Sequence, residues 1–159
     1  MHMSDALVSP VVAAVTGTAA AALLAIAVRR TGRMKDSALG EHIVPLMGVM
    51  GAFIFAAQMI NFTIPGTGSS GHIVGGILLS AVLGPWAAFL TLSSVLVIQC
   101  IVFADGGLLA LGCNILNMAA LSCLVAYPLV FRPLVRKGTS ALRITAASVL
   151  SSEVALLLG

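Results

Sequence analysis

"LVSPVVAAVTGTAAAALLAIAV", Leu7 to Val28, carries no charged side chain from end to end. At about 1.5 Å of rise per residue, a helix over this run crosses a hydrocarbon core about 30 Å thick. A membrane-spanning barrel strand would alternate apolar and polar residues. This stretch is instead an unbroken apolar run rich in Ala and Leu, and it reads as a helix. "RRTGRMKDSALGE", Arg29 to Glu41, then places a block of charges directly behind it.

The rest of the chain extends the reading. Hydrophobic residues make up 60% and charged residues 8%, with a mean hydropathy of +1.14. Soluble domains carry about 25% charged residues. A backbone in lipid must satisfy its own hydrogen bonds, which leaves helices or closed barrels. The expectation is an all-α, polytopic transmembrane bundle of about six helices, forming one integral membrane domain over residues 1–159. Helices are expected at Leu7–Val28, Ile43–Phe62, His72–Leu83, Trp86–Phe103 and Leu108–Phe131. A last one begins near Ser140.

The net charge of +3 does not point to nucleic acid. The basic residues fall in two clusters, Arg29, Arg30, Arg33 and Lys35, then Arg132, Arg136, Lys137 and Arg143, with no interleaved aromatics. Such clusters are topology signals, and the positive side is cytoplasmic. The N-terminus, the loop around Gly66–Gly71 and the "ADGG" turn at residues 104–107 then lie outside. The third helix is short for a span, so the loop before it is expected to dip inward and carry His72 into a pocket. Irregular backbone at that depth must be buried in protein or line a cavity. The first helix is read as retained, because no positive segment precedes it as in a signal peptide.

"GTGSSGHI", Gly66 to Ile73, begins like a phosphate-binding loop. That pattern then requires Lys and Ser or Thr, and His72 and Ile73 stand there instead. An ATPase reading fails at the residues that would do the chemistry. The loop acquires another meaning beside the opening "MHMSDALVSP". His2 is too large for removal of Met1, so the free amine stays one residue from an imidazole. The amine of Met1, the deprotonated amide of His2 and the His2 ring nitrogen can chelate one metal through fused rings. His72, on the same side, is the candidate for a fourth nitrogen. Planar nitrogen sets suit Ni(II) or Cu(II), and binding weakens in acid because the donors must lose protons.

Other polar residues interrupt the apolar runs. Asn61, Gln99, Asn114 and Asn117 are candidates to orient ligands, although hydrogen bonding between helices is the usual employment of such side chains in membranes. Gln58 belongs to the same class. Asn114 and Asn117 are three apart and share a helix face. Asp5 and Asp105 sit at the outer edge, as helix caps or supports for the ligands. His42 lies beside Glu41 on the opposite side. Glu153 is a carboxylate inside an apolar run, a position of functional interest in membranes. Cys100, Cys113 and Cys123 show no metal-binding spacing, and the Met residues form no series along one face.

"MHMSDALVSP", "NFTIPGTGSSGHIVGG" (61–76) and "FADGGLLALGCNILNMA" (103–119) together resemble the CbiM/NikM family. These are the substrate-specific S components of energy-coupling factor (ECF) transporters for nickel and cobalt, and the likeness covers nearly the whole chain. It implies an S-component-like bundle with an additional N-terminal helix, whose N-terminus plugs into the interior. It implies metal held by the Met1 amine, the His2 amide and ring, and His72. The metal is cargo rather than a cofactor, Ni(II) favoured and Co(II) next. The implied partners are a transmembrane coupling (T) protein, a small membrane subunit and two cytoplasmic ATPase subunits, in the cell membrane of a prokaryote. Members of the family are usually longer at the C-terminus, so a C-terminally truncated chain is expected. The alternative is a self-sufficient secondary transporter or channel for divalent metal ions. An intramembrane metalloenzyme is the third reading, disfavoured because no HExxH is present and a filled square plane leaves no equatorial place for a reacting water.

Overall fold

A computed structural model describes residues 2–36, 40–60, 62–64, 69–136 and 140–158. Six helices dominate these residues. They are α1 (Pro10–Gly32), α2 (Gly40–Gln58), α3 (Gly76–Leu83), α4 (Pro85–Phe103), α5 (Leu111–Arg136) and α6 (Ala141–Leu158). Two short strands, β1 (Phe62–Ile64) and β2 (Ser69–Gly71), pair antiparallel between α2 and α3.

The start of α1 follows from "SP". Ser9 accepts a hydrogen bond from the Val12 N–H through its side chain, and Pro10 occupies the first turn. A missing N–H costs nothing there, because that group has no partner within the helix. The helix therefore begins three residues later than expected, and Asp5–Leu7 folds as a separate 3₁₀ turn. At its other end α1 runs through Arg29 and Arg30 to Gly32. The third helix is also corrected. It starts at Gly76 rather than His72, because Gly75 takes a left-handed φ of 79° that ends the extended approach from β2. His72 thus lies on irregular backbone ahead of the helix.

Among the described residues, four helices are long and apolar enough to span a membrane: α1, α2, α4 and α5. α4 is the central post. Ala87, Ala88, Phe89 and Leu92 are fully buried, and α1, α2, α3 and α5 all pack on it. α6 packs chiefly on α5. The outward faces are apolar too: Val11 and Val15 of α1, Phe53 of α2, Ile101 of α4 and Leu129 of α5 are all exposed. A soluble protein rarely shows so much contiguous apolar surface, whereas lipid accommodates it.

Close helix contacts depend on glycine. A Cβ on Gly112 would stand 2.5 Å from the Gly17 nitrogen and 2.7 Å from its Cα, so α1 and α5 meet backbone to backbone. Small residues permit such approach where lipid supplies no hydrophobic drive between helices. Along α5 the backbone ladder then widens to i→i−5 bonds over Ile115–Phe131, as where the Arg132 N–H reaches the Tyr127 carbonyl. Such segments occur often at functional sites.

The two ends of the bundle differ in chemistry. Arg30 lies over the ring of Trp86, 5.3 Å from its centroid, at the start of α4. Asp105 follows the far end of the same helix. The basic cluster behind α1 and the "ADGG" turn are therefore a helix length apart, about 28 Å.

Because backbone rather than a flexible side chain opposes it, Gly112→Ala cannot be relieved by a rotamer change. It is expected to cost about 1–3 kcal/mol through overpacking. A lowered thermal midpoint in detergent checks this. Gly17→Ala, whose Cβ would meet nothing within 4 Å, is the matched control and should leave the midpoint in place.

Candidate metal centre

The N-terminal arm, residues 2–8, folds back against the start of α5 and the turn after α4. Its anchor is Met3. The Met3 N–H donates to Asn114 Oδ1 at 2.8 Å, and the Asn114 amide donates back to the Met3 carbonyl at 3.3 Å. The same carbonyl accepts from the Gly107 N–H at 3.0 Å. Further along, Asp5 Oδ1 accepts from the Ala110 N–H at 3.1 Å. Val8 packs with Ala110 and Cys113 in a small apolar cluster that Met3 flanks. The arm passes so close to Gly107 that a Cβ there would overlap the backbone and carboxylate of Asp5.

The turn that receives the arm is built by unusual backbone. α4 ends at Phe103, and Ala104 adopts a left-handed φ of 51°. The N–H groups of Ala104 and Asp105 both reach the Gln99 carbonyl. Gly106 follows at φ 95°, where a Cβ would lie 3.0 Å from that of His2. "ADGG" is thus a tight left-handed turn with room left for the arm, a use of glycine that the loop alone did not disclose.

Anchored in this way, His2 meets His72. Their rings stack with centroids 5.2 Å apart and planes inclined by 25°. The His2 side chain is 4% exposed, and His72 is buried at 7%. His72 Nδ1 lies 3.2 Å from the Ile73 carbonyl. A carbonyl only accepts, so the hydrogen bond puts the proton on Nδ1 and leaves Nε2 as a lone pair. That Nε2 has no hydrogen-bond partner, nor does either ring nitrogen of His2. His2 Nδ1 does lie 3.1 Å from Asp105 Oδ1. Buried nitrogens without hydrogen bonds are costly in an apolar interior, and these converge on one place.

Amides frame the pair. Gln99 donates to Gln58 Oε1 at 2.8 Å, and Gln58 donates to the Val74 carbonyl at 2.8 Å. Gln99 Oε1 is buried without a hydrogen-bond partner. Asn117 donates to the Met3 sulfur at 3.9 Å, on the same side of α5 as Asn114. Of the residues the sequence singled out, His2, His72, Gln99, Asn114 and Asn117 thus gather at this end of the bundle. Met1 and Asn61 lie outside the described residues. Nothing in the sequence marks Met3, yet its backbone fixes the arm; a main-chain role of this kind leaves no mark in residue type. Among the described residues no three His, Cys, Asp or Glu side chains converge as a metal cluster.

Burial pushes the His2 imidazole below its ordinary value of 6.5, against a smaller upward pull from the Asp105 carboxylate, and nearby His72 pushes it down again. The ring is therefore held neutral. The sign follows: the undocked arm takes up a proton more readily than the docked one, so docking is fully stable above about 6.5 and weakens as pH falls through that value. Protection of the Gly107 N–H against hydrogen exchange, corrected for intrinsic rate, should fall over that window. Asn114→Ala removes both bonds to Met3 and is expected to weaken docking by about 1–3 kcal/mol. The same Gly107 protection reads the loss.

With this geometry in place, comparison with known proteins is informative. The family model described as the cobalt uptake substrate-specific transmembrane region matches residues 2–159. A Haloquadratum walsbyi protein named for metal transport is 39% identical over 99% of this chain and 71% of its own length. A fused nickel transport protein of Rhodobacter capsulatus is 40% identical over 79% of this chain, which spans only 35% of it. A crystal structure of a truncated transition metal transporter superposes with a TM-score of 0.83 at 35% identity, over 98% of this chain and 70% of that one. A second crystal structure of a transition metal transporter gives 0.81 at 35% identity, over 98% and 66%. On a match that runs from His2 to the last residue, the chain belongs to the CbiM family of cobalt-uptake transmembrane proteins.

Proposed function

We propose that this chain is the substrate-binding membrane component of a nickel or cobalt uptake system, and that it takes the metal as cargo at the His2–His72 end of the bundle. The observation that carries this reading is the stacked, buried pair of histidines in which His72 Nε2 and the His2 ring nitrogens have no hydrogen-bond partners. The ligand set is the Met1 amine, the His2 amide nitrogen, His2 Nδ1 and His72 Nε2. Ring closure selects Nδ1, because amide nitrogen, Cα, Cβ, Cγ, Nδ1 and metal close a six-membered ring. The tautomer of His72 leaves Nε2 free to bind. Nickel is the favoured cargo, since a planar set containing a strong-field amide suits low-spin Ni(II); cobalt is second.

Charge supports the orientation, and the family resemblance supplies the setting and the partners. The basic clusters mark the cytoplasmic side, which puts the site and the N-terminus outside, in the cell membrane of a prokaryote. The family resemblance implies the partners, a transmembrane coupling (T) protein, a small membrane subunit and two cytoplasmic ATPase subunits of an ECF transporter, and ATP hydrolysis is assigned to them because the glycine loop lacks the residues that handle phosphate. The chain itself acts as a non-enzymatic capture subunit.

Purified protein with its authentic N-terminus, titrated with Ni(II), should give a yellow diamagnetic species. One extra residue before Met1 should abolish it by removing the amine from the plane. His2→Ala and His72→Ala should each weaken binding by more than about a hundredfold, the upper range for losing even an outer-shell support. Binding should also weaken in acid. Equal binding by the extended chain would sink the terminal chelate. Accumulation of metal by the chain alone in vesicles, without ATP, would favour the secondary transporter instead.

A further inference from the structure

We propose that Asp105 is the first protein ligand that an incoming hydrated divalent cation meets, and that it hands the ion to His2 Nδ1. This rests on the site reading above and adds a residue to it. The Asp105 side chain is 38% exposed, whereas that of His2 is 4% exposed, so an ion arriving from water reaches the carboxylate first. The two groups are joined at one atom pair, with Oδ1 3.1 Å from Nδ1.

That spacing has a coordination meaning. Divalent first-row ions hold nitrogen and oxygen ligands at about 2.0–2.2 Å, so two ligands at a right angle on one ion lie about 3 Å apart. Oδ1 and Nδ1 already stand at that distance. Without an ion, the carboxylate faces the imidazole at ion-pair distance; around an ion, the same spacing fits two ligands on one centre. Asp5, the carboxylate of the arm, is engaged with the Ala110 N–H and braces the arm.

The turn holds Asp105 in place independently of any ion. Its N–H is bonded to the Gln99 carbonyl at 3.0 Å, between the left-handed Ala104 and Gly106. The exchange is a plain ligand substitution. The carboxylate replaces one water of the aqua ion and Nδ1 replaces a second; the Met1 amine, the His2 amide and His72 displace the others, with the protons of the terminal ammonium and the amide passing to bulk water. The carboxylate is then released as the planar set fills. A hard, charged oxygen suits a hydrated ion, and imidazole suits the dehydrated one.

Stopped-flow mixing of the wild-type protein with NiCl₂ alone separates this from the alternatives. Asp105→Asn should slow association about tenfold, the lower range for loss of a steering charge. The dissociation rate and the final visible spectrum should stay unchanged. Asp105→Glu should restore most of the rate, and Glu153→Gln, which removes an equal charge elsewhere, should not alter it. An unchanged association rate in Asp105→Asn overturns the proposal. So does faster dissociation with an altered spectrum, which would make Asp105 a support that positions His2. If wild-type protein binds no Ni(II), the site reading itself falls; if wild type and Asp105→Asn bind at one rate, only the capture step falls.

Discussion

The side-chain amide of Asn114 grips residue 3 of the chain on both its donor and its acceptor side. Everything at this end of the molecule depends on that clamp. A free chain terminus normally frays, because ordering its backbone costs about 1–2 kcal/mol per residue. Here the Met3 peptide groups find partners in Asn114 and Gly107 at a place where water competes poorly. An amide held in a helix of the bundle is already ordered, so little further entropy is lost when it closes on the arm. Once Met3 is fixed, His2 has no choice but to lie over His72.

The bundle is arranged to make the clamp possible. α4 provides the buried post on which α1, α2, α3 and α5 lean. Gly112 lets α1 approach the start of α5 closely, which sets the arm's point of departure beside Asn114. At the end of α4, left-handed Ala104 and Gly106 fold the chain away, and Gly106 and Gly107 let His2 and Asp5 pack closely against the turn. The glycine-rich segment before α3 brings its histidine in from the other side. None of these devices is a ligand, yet each removes a degree of freedom from one.

The electrostatics favour a cation at this spot. The two imidazoles stack, burial holds the His2 ring neutral, and the lone pair on His72 Nε2 has no hydrogen-bond partner. The Gln58–Gln99 pair ties the end of α2 to α4 and to the backbone beside His72. Such a pair is a common way to join helices where no water is at hand. It also fixes the wall of the site, so the same bonds serve packing and positioning. At the opposite end of α4, Arg30 rests on Trp86. The separation of these two ends gives the molecule a direction.

Much of this was legible in the residues. Apolar runs such as Leu7–Val28 declare helices, because lipid leaves the backbone no other economical solution. The clustering of Arg and Lys declared which ends lie together. His2 and His72 were marked by chemistry, since a histidine behind a free amine and another behind a glycine loop are unusual in so apolar a chain. The boundaries were less legible: Ser9-Pro10 and Gly75 moved two helix starts by local capping and φ, effects that a run of hydropathy does not carry. The 5.2 Å meeting of the rings, the grip of Asn114 on Met3 and the approach of Asp105 to Nδ1 belong to tertiary structure alone. They join residues separated by more than sixty positions, and the grip on Met3 works through backbone groups that every residue possesses. Residue type and spacing determine what each group can do; only packing decides which groups meet.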